Sequence, residues 1–453
     1  MYMTDASGGR HTRSVHAGQV PDETGARAPP LYQTTSYVFP DAEDAAERYA
    51  LDSEADVYSR ISNPTVSTLE DRLASLEGGV GAVATNAGMG AIDGITTVLA
   101  ETGRNVVAGE DMYGGTASYF SHIAGKRGIE TRTVDALDPD AVADAIDADT
   151  AFVHVETIAN PSLVTPDFEA VADIAHDNAV PLVVDNTFAT PHLCRPIEHG
   201  ADVVWESTTK WLHGAGTTLG GVVVDGGTFP WDHPDADFPE LSGENPAYGF
   251  DFTERFGDRA FAAAVRQRAV RATGTGQTPF DAWQTLQGVE TLPLRMDRHC
   301  ANAAALAEFL TDHDDVAWVS YPGREDHPTH DTASEYLDAG GEPGGKSDFP
   351  DAVTDAAGGP TGGYGGMLTF GPAGGFDAAK AVCEAVDLAS FAANVGDAKT
   401  LVIHPASTTH AQLSAAEQRA AGVDPDMVRV SVGIEDTADV LADFDAALAE
   451  AHE

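Results

Sequence analysis

Basic residues are scarce in this chain of 453 residues. It carries 25 lysines and arginines against 72 aspartates and glutamates, a formal net charge of −47. Nucleic acids and anionic membranes are polyanions, so this balance argues against both as partners. The acids are spread along the chain, which favours a solvated acidic surface of the halophilic kind. Molar salt shortens the Debye length to about 3 Å and screens self-repulsion, so we expect stability to rise steeply with salt.

Cysteine and long apolar runs are also in short supply. The three cysteines, Cys194, Cys300 and Cys383, are far apart and share no metal-ligand spacing, so the sequence predicts no disulfide framework and no metal site. The N-terminus lacks a basic-then-apolar signal pattern, and no apolar run approaches the roughly 18 to 20 residues that span a bilayer. We therefore expect a cytoplasmic protein that does not enter membranes.

Short apolar runs alternate with segments of helical period from residue 66 onward. One such helix is expected from Gly88 to about Ala100, and another near 167–178. This alternation predicts an α/β fold with a mainly parallel sheet flanked by helices. The strand-like runs are GAVAT (81–85), RNVVAG (104–109), AFVHVE (151–156), PLVVDN (181–186), ADVVWES (201–207) and GGVVVDG (220–226).

The chain divides into three predicted parts. Residues 1–65 are rich in proline and are expected to form an extended N-terminal arm, and residues 66–275 form the larger α/β domain. The rhythm then changes to long helices followed by GGMLTF (365–370) and MVRVSV (427–432), which predicts a smaller α/β domain over 276–453. Residues 339–364 are rich in glycine, proline and aspartate and are expected to be a loop insertion.

Polar residues cluster where the predicted strands end. In open α/β sheets, ligands bind beyond the carboxyl ends of the strands. Five strand ends therefore converge on one predicted site. The residues that follow those strands are Asn86, Gly88 and Met89; Asp111 and Tyr113; Glu156 and Asn160; Asp185; and Ser207, Thr209 and Lys210.

Lys210 stands out because the chain has only five lysines. An isolated lysine is more often a surface residue with a buried stem, but one among hydroxyls at a strand end favours an amine held against a ligand. A desolvated lysine forms a Schiff base with a carbonyl. Asp185, otherwise an ordinary strand-end carboxylate, can hold a pyridinium nitrogen protonated. NAGMGAI (86–92) is either a glycine-eased helix start or a phosphate-binding helix N-terminus.

Together these residues resemble the Cys/Met-metabolism family of fold type I enzymes that depend on pyridoxal phosphate (PLP). The resemblance covers nearly the whole chain, and its set of motifs is far more specific than a single short pattern. Those motifs are YSRISNPT (58–65), NAGMGAI (86–92), DMYGGT (111–116), VETIANP (155–161), VVDNTFATP (183–191), ESTTKW (206–211), GVETLPLRM (288–296), IHPASTTH (403–410) and VRVSVGIED (428–436).

The resemblance implies a role for each matching residue. Lys210 becomes the Schiff-base lysine, Asp185 the partner of the pyridine nitrogen, and Tyr113 the ring that stacks on the cofactor and moves protons. The phosphate is held by Gly88, Met89, Ser207 and Thr209, joined by Tyr58 and Arg60 from a neighbouring subunit. Shared sites imply a homo-oligomer, with a tetramer suggested by the family and a dimer left open.

Two further residues belong to the implied substrate side of the site, and a third, Asn160, is implied to bind the cofactor. Arg429 matches the arginine that grips the substrate α-carboxylate, a role that suits the guanidinium fork, although a lone strand arginine is more often a structural ion-pair partner. Asn394 matches a carboxylate-side position, and Asn160 matches an asparagine near the phenolic oxygen of the cofactor.

The variable segments point to one branch of the family. Gly115 stands where methionine γ-lyases carry cysteine, and the segments 240–261, 286–303 and 394–413 resemble O-acetylhomoserine sulfhydrylases. The implied reaction is O-acetyl-L-homoserine plus sulfide giving L-homocysteine and acetate, in methionine biosynthesis. Cystathionine γ-synthase or γ-lyase, methionine γ-lyase and a catalytically silent PLP-binding scaffold remain alternatives. The nucleophile could also be methanethiol or cysteine, and the activating group succinyl.

Overall fold

Strands and helices alternate along most of the chain in the computed structural model, which describes residues 8–21, 24–53, 55–337, 363–412 and 414–452. The predicted insertion 339–364 therefore lies outside the described residues, apart from 363–364. The α-helices are α1 (Arg10–His16), α2 (Ala42–Tyr49), α3 (Pro64–Glu77), α4 (Gly88–Leu99), α5 (Gly114–Ser118), α6 (Pro139–Ala145), α7 (Phe168–Asp177), α8 (Thr190–Leu193), α9 (Phe252–Phe256), α10 (Ala260–Ala264), α11 (Arg271–Thr273), α12 (Pro279–Val289), α13 (Leu292–Thr311), α14 (His330–Tyr336), α15 (Gly375–Ala385), α16 (Ala415–Ala420) and α17 (Thr437–Ala451).

The larger sheet has the order β1-β7-β6-β5-β4-β2-β3. Only β7 runs against its sheet neighbours, since it pairs antiparallel with both β1 and β6 while the other pairs are parallel. The expected mainly parallel sheet is confirmed. Its strands are β1 (Gly81–Thr85), β2 (Asn105–Gly109), β3 (Glu130–Val134), β4 (Thr150–Glu156), β5 (Leu182–Asp185), β6 (Val203–Glu206) and β7 (Gly221–Asp225).

The smaller sheet is built from the C-terminal part of the chain, in the order β10-β11-β12-β9-β8. It is mixed, because β10 and β11 are parallel and the other pairs are antiparallel. Helices α13 and α17 pack together beside it. Its strands are β8 (Val316–Ser320), β9 (Met367–Pro372), β10 (Ser390–Phe391), β11 (Leu401–Ile403) and β12 (Val428–Ser431).

Burial on both faces explains why the central strands are so apolar. Every residue of β2, β4, β5, β6 and β7 is buried, as expected for the strands of a mainly parallel sheet covered by helices on both sides.

Helix α3 begins and ends at residues of the types that commonly cap helices. Asn63 caps α3 by accepting the Thr65 N–H, Pro64 occupies the first turn, and Gly78 ends the helix with φ +83°, which a residue without Cβ adopts at little cost.

Some elements were not predicted. The N-terminal 65 residues contain α1 and α2 besides extended chain. Strand β3 escaped prediction because its sequence, ETRTV, is polar and its side chains are exposed or half-buried at the sheet edge. An edge strand with a solvated face lacks the continuous apolar run that marks its neighbours.

The described residues hold no helix with both the length and the apolar character needed to cross a membrane. Nor do they include a group of three or more histidine, cysteine or acidic side chains placed to hold a metal ion. All three cysteines are buried free thiols, as expected of small apolar residues.

Candidate active site

Lys210 lies in the turn that follows β6, at the carboxyl edge of the larger sheet. Its Nζ donates a hydrogen bond to Asn394 Oδ1 at 2.5 Å, although the two residues are far apart in sequence. Burial, together with the positive charge of Arg429, lowers the pKa of the Lys210 amine to about 8. An amine with such a pKa is partly neutral near physiological pH and can act as a nucleophile or a base.

The turn around Lys210 is held by the C-terminal part of the chain. Arg295 donates to Trp211 O at 2.7 Å, to Leu212 O at 3.2 Å and to Gly288 O at 2.8 Å. Gly396, at φ +76°, packs so closely that a Cβ there would lie 2.9 Å from Lys210 Cβ. The lysine is therefore fixed by contacts from both parts of the chain.

Asp185 ends β5 and is 7% exposed. Its Oδ1 accepts two hydrogen bonds from Thr187, one from the backbone N–H at 2.9 Å and one from the hydroxyl at 2.5 Å. Its Oδ2 has no donor among the described residues. Burial raises the pKa of the Asp185 carboxyl to about 7, so a protonated ring nitrogen at Oδ2 would stabilise the carboxylate form.

Thr187 also links this carboxylate to the lysine turn, because its hydroxyl accepts the Ser207 N–H at 2.9 Å. Sequence reasoning did not single out Thr187. Its only signal was its place in the quoted motif VVDNTFATP.

The N-terminus of α4 faces the same turn. Gly88 approaches Ser207 so closely that a Cβ on Gly88 would lie 2.9 Å from Ser207 Cβ. The N–H groups of Gly88 and Met89 precede the first intrahelical hydrogen bonds, and α4 has no side-chain cap. Thr209 Oγ1 is bonded to the backbone of Gly220 as donor and acceptor. Free N–H groups at a helix start suit a phosphate.

Tyr113 begins the segment after β2, and its side chain is 46% exposed. Its backbone N–H donates to Glu156 Oε1 at 2.5 Å. The ring lies over Gly115, where a Cβ would come within 2.4 Å of Tyr113 Cε1. A side chain at residue 115 would therefore require the Tyr113 ring to shift from this position.

Arg429 projects from β12 of the smaller sheet and is 9% exposed. Its Nη1 donates to Asn160 Oδ1 at 2.9 Å, and no described carboxylate pairs with it. Burial lowers the pKa of the guanidinium to about 10. A buried cation without a carboxylate partner favours an anionic ligand.

Tyr58 and Arg60 are the two predicted site residues that the structure does not bring to this group. Both are exposed, with the Arg60 guanidinium 5.5 Å from the centre of the Tyr58 ring and its Nη1 bonded to Arg271 O. In the part of the chain described, no hydrogen bond, ion pair or ring contact joins either residue to Lys210 or Asp185. Their predicted role in a neighbouring subunit stays a prediction.

The residues brought together fit PLP. The half-buried lysine has a lowered pKa, the aspartate has one oxygen without a donor, and the helix start offers free N–H groups beside a glycine that allows close approach. These three features match the aldehyde, the pyridine nitrogen and the phosphate of that cofactor.

Known proteins resemble this chain over almost its full length. It is 46% identical to the homocysteine synthase of Schizosaccharomyces pombe over 440 residues, covering 96% of this chain and 97% of that protein. It is 42% identical to the O-acetyl-L-homoserine sulfhydrylase of Leptospira meyeri over 447 residues, with 96% of each chain covered.

A solved structure shares the fold. It is described as an O-acetylhomoserine (thiol)-lyase from Campylobacter jejuni and carries N'-pyridoxyl-lysine-5'-monophosphate. It matches with a TM-score of 0.89 and 33% identity, covering 98% of this chain and all of that one. The family profile for Cys/Met metabolism PLP-dependent enzymes matches residues 11–342 and 355–449. The resemblance predicted from the motifs is confirmed, and this chain belongs to the Cys/Met metabolism family of PLP-dependent enzymes.

Proposed function

We propose that this enzyme transfers the aminocarboxypropyl group of O-acetyl-L-homoserine to sulfide, giving L-homocysteine and acetate. The observation that carries the proposal is the proximity of Lys210, half-buried in the turn after β6, to Arg429, buried on β12, whose positive charge helps to lower the pKa of the lysine amine. An α-amino acid needs both, an arginine for its carboxylate and a base near its Cα. The names of the similar proteins from S. pombe and L. meyeri support the choice of substrate.

Each site residue has its own role in the proposed reaction. PLP supplies an electron-withdrawing ring that stabilises negative charge next to the amino group. Lys210 takes the proton from Cα and returns it, and Tyr113 assists proton transfer from the opposite loop. Asp185 keeps the pyridine nitrogen protonated through Oδ2. A positioned acid or base contributes about 10² to 10⁴ in rate, so loss of Lys210 removes most of the activity.

The remaining predicted residues bind the cofactor and the substrate and hold them in position. Gly88, Met89, Ser207 and Thr209 hold the phosphate. Arg429 binds the α-carboxylate, with Asn160 fixing one end of its guanidinium and Asn394 receiving the free lysine amine. Arg429 is thus committed to the α-carboxylate. A succinyl group would bring a second carboxylate that this acidic chain must neutralise elsewhere, which favours acetyl.

The wider setting of the enzyme is also part of the proposal. Tyr58 and Arg60 complete the phosphate site of a neighbouring subunit, so the smallest active unit is a homodimer, and two dimers form a tetramer. The arm 1–65, the PLP-binding domain 66–275 and the C-terminal domain 276–453 are its structural parts. The enzyme works in a cytoplasm rich in salt, which its net charge of −47 suits.

A comparison of substrates tests the reaction. The enzyme with PLP in molar salt is offered O-acetylhomoserine with sulfide, O-acetylhomoserine with cysteine, O-succinylhomoserine with sulfide, and methionine or cystathionine alone. The first pair should be preferred by more than about tenfold in kcat/KM, or about 1.4 kcal/mol of transition-state stabilisation. Faster use of cysteine, or faster release of a 2-oxo acid from methionine, would refute the proposed substrate and leave the cofactor assignment intact.

A further inference from the structure

Glu156 joins two loops that carry proposed site residues. It is the last residue of β4 and lies in register with Asp185 on β5. Its side chain is buried, with the residue 7% exposed. One carboxylate oxygen accepts the Tyr113 N–H at 2.5 Å, and the other accepts the Asn160 N–H at 3.1 Å. A single carboxylate therefore fixes the backbone on both sides of the site.

The link continues to the substrate side. Asn160 Oδ1 accepts the hydrogen bond from Arg429 Nη1 at 2.9 Å. The chain of contacts thus runs from Tyr113 through Glu156 and Asn160 to Arg429, across segments that are distant in sequence. Displacing Glu156 would shift both the ring proposed to stack on the cofactor and the guanidinium proposed to bind the substrate.

Only a carboxyl group can accept both backbone N–H groups, because it has two acceptor oxygens. Glutamine offers only one acceptor oxygen. Its side-chain NH2 group would face the second backbone N–H, and two donors cannot form a hydrogen bond. Burial and the neighbouring Asp185 carboxylate raise the pKa of Glu156 well above its ordinary value, so placing an acid here opposes folding. A residue that opposes folding while contacting two site loops is best explained by function.

We propose that Glu156 is a positioning residue that sets Tyr113 and Arg429 for catalysis at once. This inference rests on the proposed function for its kinetic consequence. Its structural consequence does not depend on which substrate reacts, because any α-amino acid carboxylate would meet Arg429.

The chain offers a closely matched control. Asp225 is 1% exposed, and each of its oxygens accepts one backbone N–H, from Gly227 at 3.0 Å and from Ala262 at 2.9 Å. It ends β7, the antiparallel strand, so it lies at the opposite edge of the sheet, paired with Val203 at the start of β6. Asp225→Asn repeats the chemical change of Glu156→Gln away from the site.

The experiment compares holoenzyme variants in binding L-norleucine, an amino acid without a γ leaving group, followed by the change in cofactor absorbance. Glu156→Gln should raise the norleucine Kd and lower kcat/KM for O-acetylhomoserine, each on the order of 10- to 100-fold, the range for a lost hydrogen bond to a charged group. Asp225→Asn places an amide N–H against a backbone N–H in the same way and should leave both values within about twofold of wild type.

Equal norleucine affinity in Glu156→Gln and Asp225→Asn would overturn the proposal and leave Glu156 a structural residue. If Glu156→Gln does not fold, Glu156→Asp replaces it, since it keeps both acceptors on a shorter side chain. A norleucine Kd about threefold or more above wild type then supports the proposal, and an unchanged Kd refutes it. Failure of the proposed function looks different, because wild type itself would then not convert O-acetylhomoserine.

Discussion

Replacing Glu206 by glutamine should stabilise the enzyme above neutral pH. Glu206, on β6, and Glu77, at the end of α3, are both fully buried and lie close enough for their carboxyl groups to interact. Asn186 donates to Glu77 Oε1 at 2.8 Å, while Glu77 Oε2 and both Glu206 oxygens have no other partner among the described residues. Two carboxyls bond only if one holds a proton, so we expect the pair to share one.

The size of the pH effect on the free energy of unfolding follows from the pKa values of the two carboxyl groups. Burial raises the pKa of Glu77 from its ordinary 4.5 to about 7, and burial together with the Glu77 charge raises that of Glu206 well above its ordinary value. Raised folded-state pKa values favour folding at low pH, a contribution that is lost as pH rises from 4.5 through 7. For Glu77 the loss is about 3 kcal/mol, at about 1.36 kcal/mol for each pKa unit.

Glutamine at 206 reduces this loss, because it leaves one titrating carboxyl in place of two and its amide group donates to Glu77 Oε2 at every pH. Unfolding entropy of about 2.1 cal/mol/K per residue makes about 1 kcal/mol/K for this chain, so each kcal/mol regained raises the Tm by about 1 °C. Thermal unfolding in molar potassium chloride should show the gain near pH 8 and little difference near pH 4.5.

The exposed Glu101→Gln is the matched control, since it changes the net charge equally. It should alter the Tm at neither pH. A Glu206→Gln gain that is the same at both pH values, or a loss near pH 8, would show that the buried pair does not share a proton.

Three further predictions concern the site and the surface. Lys210→Ala should abolish turnover yet still bind PLP, since the phosphate contacts and Asp185 remain. Borohydride reduction of the wild-type enzyme with peptide mapping should label Lys210, and a label on Lys126 instead would disprove the assignment. Mixing Arg60→Ala with Lys210→Ala subunits should restore part of the activity, because a hybrid dimer holds one intact site; no recovery despite proven subunit exchange would count against shared sites. The Tm should rise steeply from dilute buffer to molar salt as screening relieves the charge of −47, and a constant Tm would contradict an acidic surface adapted to salt.

The sequence was most informative where burial leaves a continuous apolar run. Strand β1 matches its predicted bounds at 81–85, and β4 and β7 match theirs within a residue. These three strands are buried almost throughout, so their apolar runs leave little ambiguity. Strand β3 and the helices of the arm were missed because alternating polar residues and prolines hide short elements that depend on their neighbours.

The site was predictable in its residues and less so in its connections. Strand ends and motifs brought out Lys210 and Asp185, and the structure brings both to one edge. Contacts between distant segments, such as Arg429 with Asn160 or Lys210 with Asn394, arise where parts far apart in sequence meet in the fold and leave no local pattern. The same holds for Thr187, whose three hydrogen bonds to Asp185 and Ser207 only a structure reveals.

The contacts that hold the turn around Lys210 also imply an order of folding steps during synthesis. Gly288, Arg295 and Gly396, which hold the turn, all leave the ribosome after Lys210, and Arg429 emerges later still. Domains fold as they are made, from the N-terminus onward, so a nascent chain can complete the larger sheet while the amine is still unanchored. We therefore expect attachment of the cofactor to Lys210 to belong to the finished polypeptide, and a fragment stalled before Arg295 to present its phosphate loop and Asp185 without a fixed lysine.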